Sequence, residues 1–346
     1  MIRRLAWLAA AVVLLVALAA GVLWTRTASP YKGYDASEQF VEVPPGIGPA
    51  AIGRRLVDAG VVRDRLTWRA ALLLTGAARD LKAGEYRFTG PMSAREVVAK
   101  LAKGDVDLIH VTFPEGLTIA EMAGVYEARG LGPAAAFLEA ASDRSLIAAL
   151  DPAAPDLEGY LFPDTYGIAR RRPPSTLVRA MVQRFERVFG PDLREQARAR
   201  GLTVREAVTL ASLVEKETSR PDERATVAGV YTNRLAIGMG LQCDPTVIYA
   251  LKRAGRYNGN IRREDLQFDS PYNTYRYAGL PPGPIAAPGK GALEAAVRPA
   301  DVDYLYFVSR NDGSHIFSRT YEEHRQRVHE YQVQFFRRGG RGATVD

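Results

Sequence analysis

Residues 203–218 read TVREAVTLASLVEKET, and they are the most informative stretch of the chain. At about 100° per residue, Val204, Ala207, Val208, Ala211 and Val214 gather into one apolar stripe. Arg205, Thr209, Ser212 and Lys216 cluster beside it as a polar flank. With Val204 at the origin, Glu215 falls at about 20°, inside the stripe, and Glu217 at about 220°, beside Glu206 and away from it. Two glutamates two residues apart on a helix do not face the same cleft. If one of them is a catalytic acid, it is Glu215, whose apolar surroundings would raise its pKa and keep it protonated near neutral pH. The plain alternative is a glutamate that reaches out to solvent or pairs with one of the many arginines.

The segment around this helix is strongly helical from 203 to 237, broken once at Pro221. Upstream, helices are expected over about 118–129, 133–141 and 174–200, separated by Pro-rich loops at 151–155 and 172–174. Thr118 with Glu121 has the spacing of a capping box. Downstream of Gly240 the chain turns loop-like around Asn258-Gly259-Asn260, Tyr272-Asn273-Thr274-Tyr275 and Gly279-Leu280-Pro281-Pro282-Gly283-Pro284. A strand over Tyr304–Ser309 pairs with His315-Ile316-Phe317 across Asn311-Asp312-Gly313. A last helix covers about 320–336, and 337–346 (RRGGRGATVD) reads as a disordered tail. This larger domain begins near Pro114-Glu115-Gly116.

A smaller domain precedes it, over 39–113. Phe40–Val43 alternates like a strand, and Ile52, Leu56 and Val57 have helical spacing closed by Gly60. A second helix runs from Asp64, its N-cap, to Leu74. Gly84–Phe88 is a strand, Ser93 and Glu96 form a capping box, and 107–113 is another strand. No polar constellation suggestive of chemistry lies in this part. The overall class is α+β.

Leu5 to Thr25 is free of charge, and as a helix rising about 1.5 Å per residue it matches the thickness of a bilayer core. Trp7 and Trp24 sit near its ends, where aromatic rings favour the interface, and Arg3 and Arg4 keep residues 1–4 cytoplasmic by the positive-inside rule. A cleaved signal peptide, with Ala17-Leu18-Ala19 as the cleavage site, is the competing reading. Residues 26–38 read as a stalk.

The composition fits this picture. The chain has 346 residues, 47% apolar and 25% charged, with 46 Lys+Arg against 39 Asp+Glu, a formal +7. Cys243 is the only cysteine, which excludes a disulfide framework and a Cys-based zinc site. His110, His315, His324 and His329 are too scattered to suggest a metal, and no cofactor is expected. The basic excess first admits a nucleic acid, a membrane surface or an acidic polymer. A soluble region outside the cytoplasm removes nucleic acid.

Several motifs in one order carry a resemblance: Leu81–Tyr86 (LKAGEY), Leu157–Tyr166 (LEGYLFPDTY), Leu210–Thr218 (LASLVEKET), Val230–Leu235 (VYTNRL), Leu241–Tyr249 (LQCDPTVIY), Tyr272–Tyr275 (YNTY) and Gly279–Ile285 (GLPPGPI). Together they closely resemble the endolytic murein transglycosylase family (MltG, or YceG-like), from the anchor to about residue 335. The resemblance implies a single-pass protein of the bacterial inner membrane. It implies a LysM-like βααβ subdomain over 39–113 and a YceG-like catalytic domain over 114–336. The implied reaction is cleavage of the MurNAc-β-1,4-GlcNAc bond inside nascent peptidoglycan strands, leaving 1,6-anhydro-MurNAc ends.

The family's catalytic glutamate maps onto Glu215, in agreement with the helix geometry. Ordinary glycoside hydrolysis uses two carboxylates. The single one supplied here fits an internal displacement, with Glu215 first acid and then base. Glu158, Tyr160, Glu217, Gln242, Asp244, Tyr272, Asn273 and Tyr275 are candidate substrate contacts, each with a structural alternative. Asp244 is equally a helix N-cap, Glu217 equally an Arg partner, and the 272–275 group equally a tight turn. Cys243 stands where a small residue is tolerated. A terminator of glycan elongation, working near peptidoglycan synthases, is the implied role. The rival readings are a non-catalytic murein-binding or division scaffold and a muramidase hydrolase.

Overall fold

The structure, a computed structural model, describes residues 2–169, 172–334 and 337. Most of the expected tail and the side chains of Arg3 and Arg4 lie outside the described residues. The chain forms two compact units, one of residues 1–110 with 167–172, the other of residues 111–166 with 173–346.

The first unit contains α1 (Ile2–Ala28), β1 (Gln39–Val43), α2 (Pro49–Asp58), α3 (Arg65–Thr75), β2 (Gly84–Phe88), α4 (Ala94–Lys103) and the start of β3 (Ile109–Thr112). β1 and β2 are antiparallel, with Val41 opposite Tyr86 and Val43 opposite Gly84. Strand alternation turns Val41, Val43, Tyr86 and Phe88 inward, against Ile52, Leu56, Trp68, Val97 and Leu101 of the helices. Asp64 caps α3 by accepting from the Thr67 N–H at 2.8 Å, and Ser93 with Glu96 closes a capping box on α4.

Within α1, Ala10–Ala28 is long and apolar enough to cross a membrane, and almost none of it is buried. Residues 26–38 are not the free stalk expected from their polar sequence. The helix runs on to Ala28, Arg26 pairs with Asp64 at 2.8 Å, and Tyr31 bridges to Met92. The Arg95 guanidinium lies 4.0 Å from the Trp24 ring centre.

The second unit begins within β3 and continues with α5 (Ile119–Ala128), α6 (Ala134–Ala141), the start of β4 (Thr165–Ile168), α7 (Pro174–Val188), α8 (Pro191–Ala199), α9 (Val204–Glu217), α10 (Arg224–Ala236), α11 (Asp244–Arg253), α12 (Lys290–Val297), β5 (Tyr306–Ser309), β6 (His315–Ser318) and α13 (Tyr321–Val328). The single helix expected over 174–200 is two. Pro191 opens α8 and Gly190 before it is extended (φ −72°, ψ −175°), because a proline disfavours helical backbone in the residue before it. The hairpin of β5 and β6 pairs Tyr306 with Ser318 and Ser309 with His315.

α9 is the central helix of this unit, packed by α8, α10, α11 and α12. Every residue from Ala207 to Val214 is buried, including Thr209 and Ser212. Of the polar flank inferred from the sequence, Thr209 and Ser212 are thus interior, while Arg205 is half-buried and Lys216 exposed. The Thr209 hydroxyl has no hydrogen-bond partner among the described residues, whereas Ser212 Oγ donates to the Thr209 carbonyl (2.7 Å) and accepts from the Ile285 N–H (3.1 Å). That second bond fastens the Gly279–Ile285 loop to the helix.

At the other end of α9, Arg205 grips Asp151 through two nitrogens, at 2.8 and 2.6 Å, and the Tyr160 hydroxyl donates to the same carboxylate at 2.6 Å. The arginine holds the Asp151 carboxyl below the usual carboxylate range, against the opposing effect of burial. Asp151→Ala is expected to lower unfolding stability by about 2–3 kcal/mol, because it strands the guanidinium and the phenol together. Tyr160→Phe should lower it by about 1 kcal/mol. Urea unfolding monitored by circular dichroism checks both.

Candidate active site

The last turn of α9 delivers Glu215 to a junction of two loops. One is Pro114-Glu115-Gly116-Leu117 and the other Ala287-Pro288-Gly289. They are laced together by backbone bonds: Gly116 N–H to the Ala287 carbonyl and Ala287 N–H to the Leu117 carbonyl, both at 2.8 Å. Gly116 has φ +77°, a left-handed conformation that disfavours other residues. Lys216 reaches across to the Gly116 carbonyl at 3.0 Å, so the residue beside Glu215 ties the helix to the same loop.

The Glu215 side chain is only 6% exposed. One carboxyl oxygen accepts the Gly289 N–H at 2.9 Å, and the other lies 3.3 Å from Arg224 Nη2. The same Arg224 nitrogen is 3.2 Å from a carboxyl oxygen of Glu115. A Cβ at Gly289 would lie 1.8 Å from Glu115 Oε1, so a larger residue there would displace the Glu115 carboxyl from its present place. Burial pushes the Glu215 carboxyl above its usual range, and the Gly289 N–H and the Arg224 charge pull it partly back. Such a group is a proton donor at higher pH than an ordinary glutamate, yet it is held in one position by a neutral donor and an ion pair.

The other sequence-selected residues fall into separate groups. Glu158 accepts from the Ile119 N–H (3.1 Å) and the Tyr249 hydroxyl (3.2 Å). Tyr249 packs on Tyr272 with ring centres 4.9 Å apart, and Arg253 lies over both rings. Glu158, Tyr249 and Arg253 line a cavity of about 500 Å³ together with Ile119, Glu121 and Leu138.

Gln242 and Asp244 are exposed on either side of buried Cys243, and the Tyr275 hydroxyl donates to Asp244 at 2.5 Å. Asp244 is the first residue of α11 and makes no N-cap bond, so the capping alternative does not hold; Cys243 occupies the cap. Asn273 is fully buried. Its amide donates to the Leu266 and Phe268 carbonyls and its oxygen accepts from the Tyr275 N–H, which fixes the turn and leaves nothing facing a groove. Tyr160 is likewise interior, engaged by Asp151 and the edge of Phe185.

Among the described residues, Glu217 pairs with no arginine. It accepts from the Tyr231 hydroxyl at 2.9 Å, with the Cys243 sulfur at 3.5 Å. Burial raises the pKa of Glu217 and of Cys243 together, keeping the cysteine a thiol and unsuited to nucleophilic attack. Among the described residues, no group of three or more His, Cys, Asp or Glu gathers as a metal site.

Sequence reasoning missed Glu115, Arg224 and Gly289. They lie 109, 9 and 74 residues from the groups they contact; Glu115 and Gly289 stand in loops, and Arg224 opens the helix after the break at Pro221, so no single element's periodicity links them to Glu215.

A profile of the YceG-like family matches residues 41–330. The chain belongs to the YceG-like family. It is 30% identical over 310 residues to the endolytic murein transglycosylase of Bacillus subtilis (strain 168), covering 84% of each chain. It is 31% identical over 321 residues to the endolytic murein transglycosylase of Streptococcus pneumoniae serotype 2, where it covers 84% of this chain but 58% of that longer one. A 2.6 Å crystal structure of a yceG-like protein from Listeria monocytogenes matches it with a TM-score of 0.57 at 31% identity, over 84% of this chain and 98% of that one.

Burial sets a pH dependence on this YceG-like fold through Glu158, whose carboxyl is pushed up from 4.5 to about 8. Its raised folded-state pKa stabilises the protein fully below about pH 4.5, and that contribution is lost as pH rises through about 8. Glu158→Gln, which stays neutral, is expected to flatten the fall in melting temperature across that window. Thermal melts of both proteins at matched ionic strength check it.

Proposed function

We propose that this chain is a membrane-anchored endolytic murein transglycosylase that cleaves the MurNAc-β-1,4-GlcNAc bond in nascent glycan strands. The observation that carries the reading is the Glu215 carboxyl, enclosed, shifted towards its protonated form and held by the Gly289 N–H. The names of the Bacillus and Streptococcus relatives support the substrate.

Glu215 gives its proton to the glycosidic oxygen as the C1–O bond breaks and positive charge develops at the MurNAc C1. The carboxylate then accepts the proton of the MurNAc C6 hydroxyl, whose oxygen bonds to C1. No water enters, and the new end is 1,6-anhydro-MurNAc. Arg224 and the Gly289 N–H stabilise the carboxylate formed between the two steps.

Glu115 bears on the hydrolase alternative. It places a second carboxylate beside Glu215, as hydrolases require, but both carboxylates bond the same Arg224 nitrogen. Glu115 is engaged as an ion-pair partner of Arg224, which supports reading Glu215 as the single acting carboxyl and with it the internal displacement.

Residues 114–336 form the catalytic domain in this reading, and 39–113 the LysM-like subdomain that positions it. α1 anchors the chain in the inner membrane, with Arg3 and Arg4 on the cytoplasmic side and the catalytic region outside. Gln242, Asp244, Tyr272 and Tyr275 are the candidates for glycan contact. The enzyme works beside peptidoglycan synthases as a terminator of elongation.

Glu215→Gln is expected to reduce turnover of uncrosslinked glycan by about 10²–10⁴-fold, with loss of anhydro ends. Mass spectrometry of the products reads this directly. Anhydro ends unchanged in the variant remove Glu215 from the chemistry, no turnover by either protein supports the scaffold reading, and products heavier by one water support the hydrolase. Removing the positive charge with Arg224→Gln should raise the Glu215 pKa further and move the alkaline limb of the pH–rate profile upwards, since the first step needs the acid form.

A further inference from the structure

α3 carries an exposed apolar face that the first unit leaves uncovered. Leu66, Leu73 and Leu74 are 61%, 85% and 48% exposed, whereas Trp68, Ala71 and Leu72 on the other side of the helix are buried. At about 100° per residue, Arg65, Arg69, Leu73 and Leu66 follow one another within a sector of about 100°. The exposed face is therefore two arginines running directly into two leucines. Neither arginine forms an ion pair among the described residues. This is the composition of a helix that lies in a membrane interface, with leucines among acyl chains and guanidinium groups among phosphates.

The location of α3 agrees with this chemistry. Asp64, its N-cap, pairs with Arg26, two residues beyond Trp24 in α1. α1 packs on both α3 and α4, and Arg95 of α4 donates to the Trp24 carbonyl at 3.2 Å while stacking on its ring. Trp24 is a side chain that favours the membrane–water boundary. The start of α3 is thus fixed at the level where the span leaves the bilayer.

We propose that the Arg65–Arg69–Leu66–Leu73 face of α3 docks onto the anionic lipid surface around the outer end of α1, fixing the first unit against the membrane instead of leaving it on a swinging tether. The proposal rests on the reading of α1 as a membrane anchor. The occupant is the bilayer because α3 is tied at its start to the outer end of the span through Asp64 and Arg26, and the charge of the face is complementary to phosphate headgroups.

The test uses the full chain in nanodiscs of phosphatidylethanolamine and phosphatidylglycerol, with an environment-sensitive NBD label on single introduced cysteines. Cys243 is 1% exposed and stays unlabelled. Labels at Leu66→Cys and Leu73→Cys should be blue-shifted and quenched by lipids brominated on their acyl chains. Leu14→Cys, inside the span, should be quenched as well, and Asp312→Cys, on an exposed turn, should not. Adding Arg65→Glu with Arg69→Glu, or replacing phosphatidylglycerol with phosphatidylcholine, should reduce quenching at 66 and 73 and leave position 14 unchanged. Quenching at 14 with labels at 66 and 73 behaving like 312 overturns the docking and spares the anchor. Shielding at 66 and 73 that is insensitive to brominated lipid assigns the face to a second copy or another protein and also overturns it. An unquenched label at 14 removes the anchor and the docking with it.

Discussion

Enclosing a carboxyl group at the end of a buried helix is the constraint around which the second unit is arranged. Water is withdrawn from Glu215, which favours its neutral form, and a carboxyl without partners there would be costly. The Gly289 N–H and Arg224 satisfy it without fully ionising it. Those partners come from a loop and from the helix following α9. Each is in place because something else holds it: Gly116 and Ala287 lace the two loops, Lys216 ties the helix to the first, and Ser212 anchors the Gly279–Ile285 segment. The opposite end of α9 is pinned by Arg205 and Asp151. A helix held at both ends and buried along its middle can keep a reactive group in one position.

The sequence was most legible where a residue's role depends on its own helix. The period of α9 separates Glu215 from Glu217, and the structure gives the two separate sets of partners, because an angular difference between neighbours on a helix needs no tertiary information. The capping boxes at Ser93 and Thr118 are readable for the same reason, since both partners lie within four residues; Thr203 with Glu206 forms another that the sequence reading does not name. The reading failed where polarity was taken for exposure. Thr209 and Ser212 read as a solvated flank, yet both are buried: the Ser212 hydroxyl finds backbone partners, and the small Thr209 side chain is enclosed with its hydroxyl unpaired among the described residues. Glu217 looked like an arginine partner and is instead a neutral-leaning acid facing a phenol and a thiol.

Site residues contributed by loops were not legible. Glu115 and Gly289 acquire meaning only when two segments far apart in sequence are zipped against α9. The Tyr272–Tyr275 motif illustrates the converse. It stands out in the sequence as one group, but the structure divides it: Asn273 closes the turn, Tyr272 packs on Tyr249, and Tyr275 bonds Asp244. One conspicuous motif therefore holds both an architectural residue and aromatic rings with accessible edges.

In the proposed function the first unit serves location and the second chemistry. In the first, the contacts of Arg26, Thr27 and Arg95 turn what reads as a polar tether into a fixed collar around the end of α1. In the second, the central claim is that Glu215 is an acid poised above the ordinary glutamate range. The most direct measurement is a carboxyl ¹³C NMR titration of glutamate-labelled protein, with the Glu215 signal assigned by its loss in Glu215→Gln. A midpoint clearly above 4.5 is the expected result. A midpoint at or below 4.5, an ordinary carboxylate already ionised at neutral pH, would contradict the account.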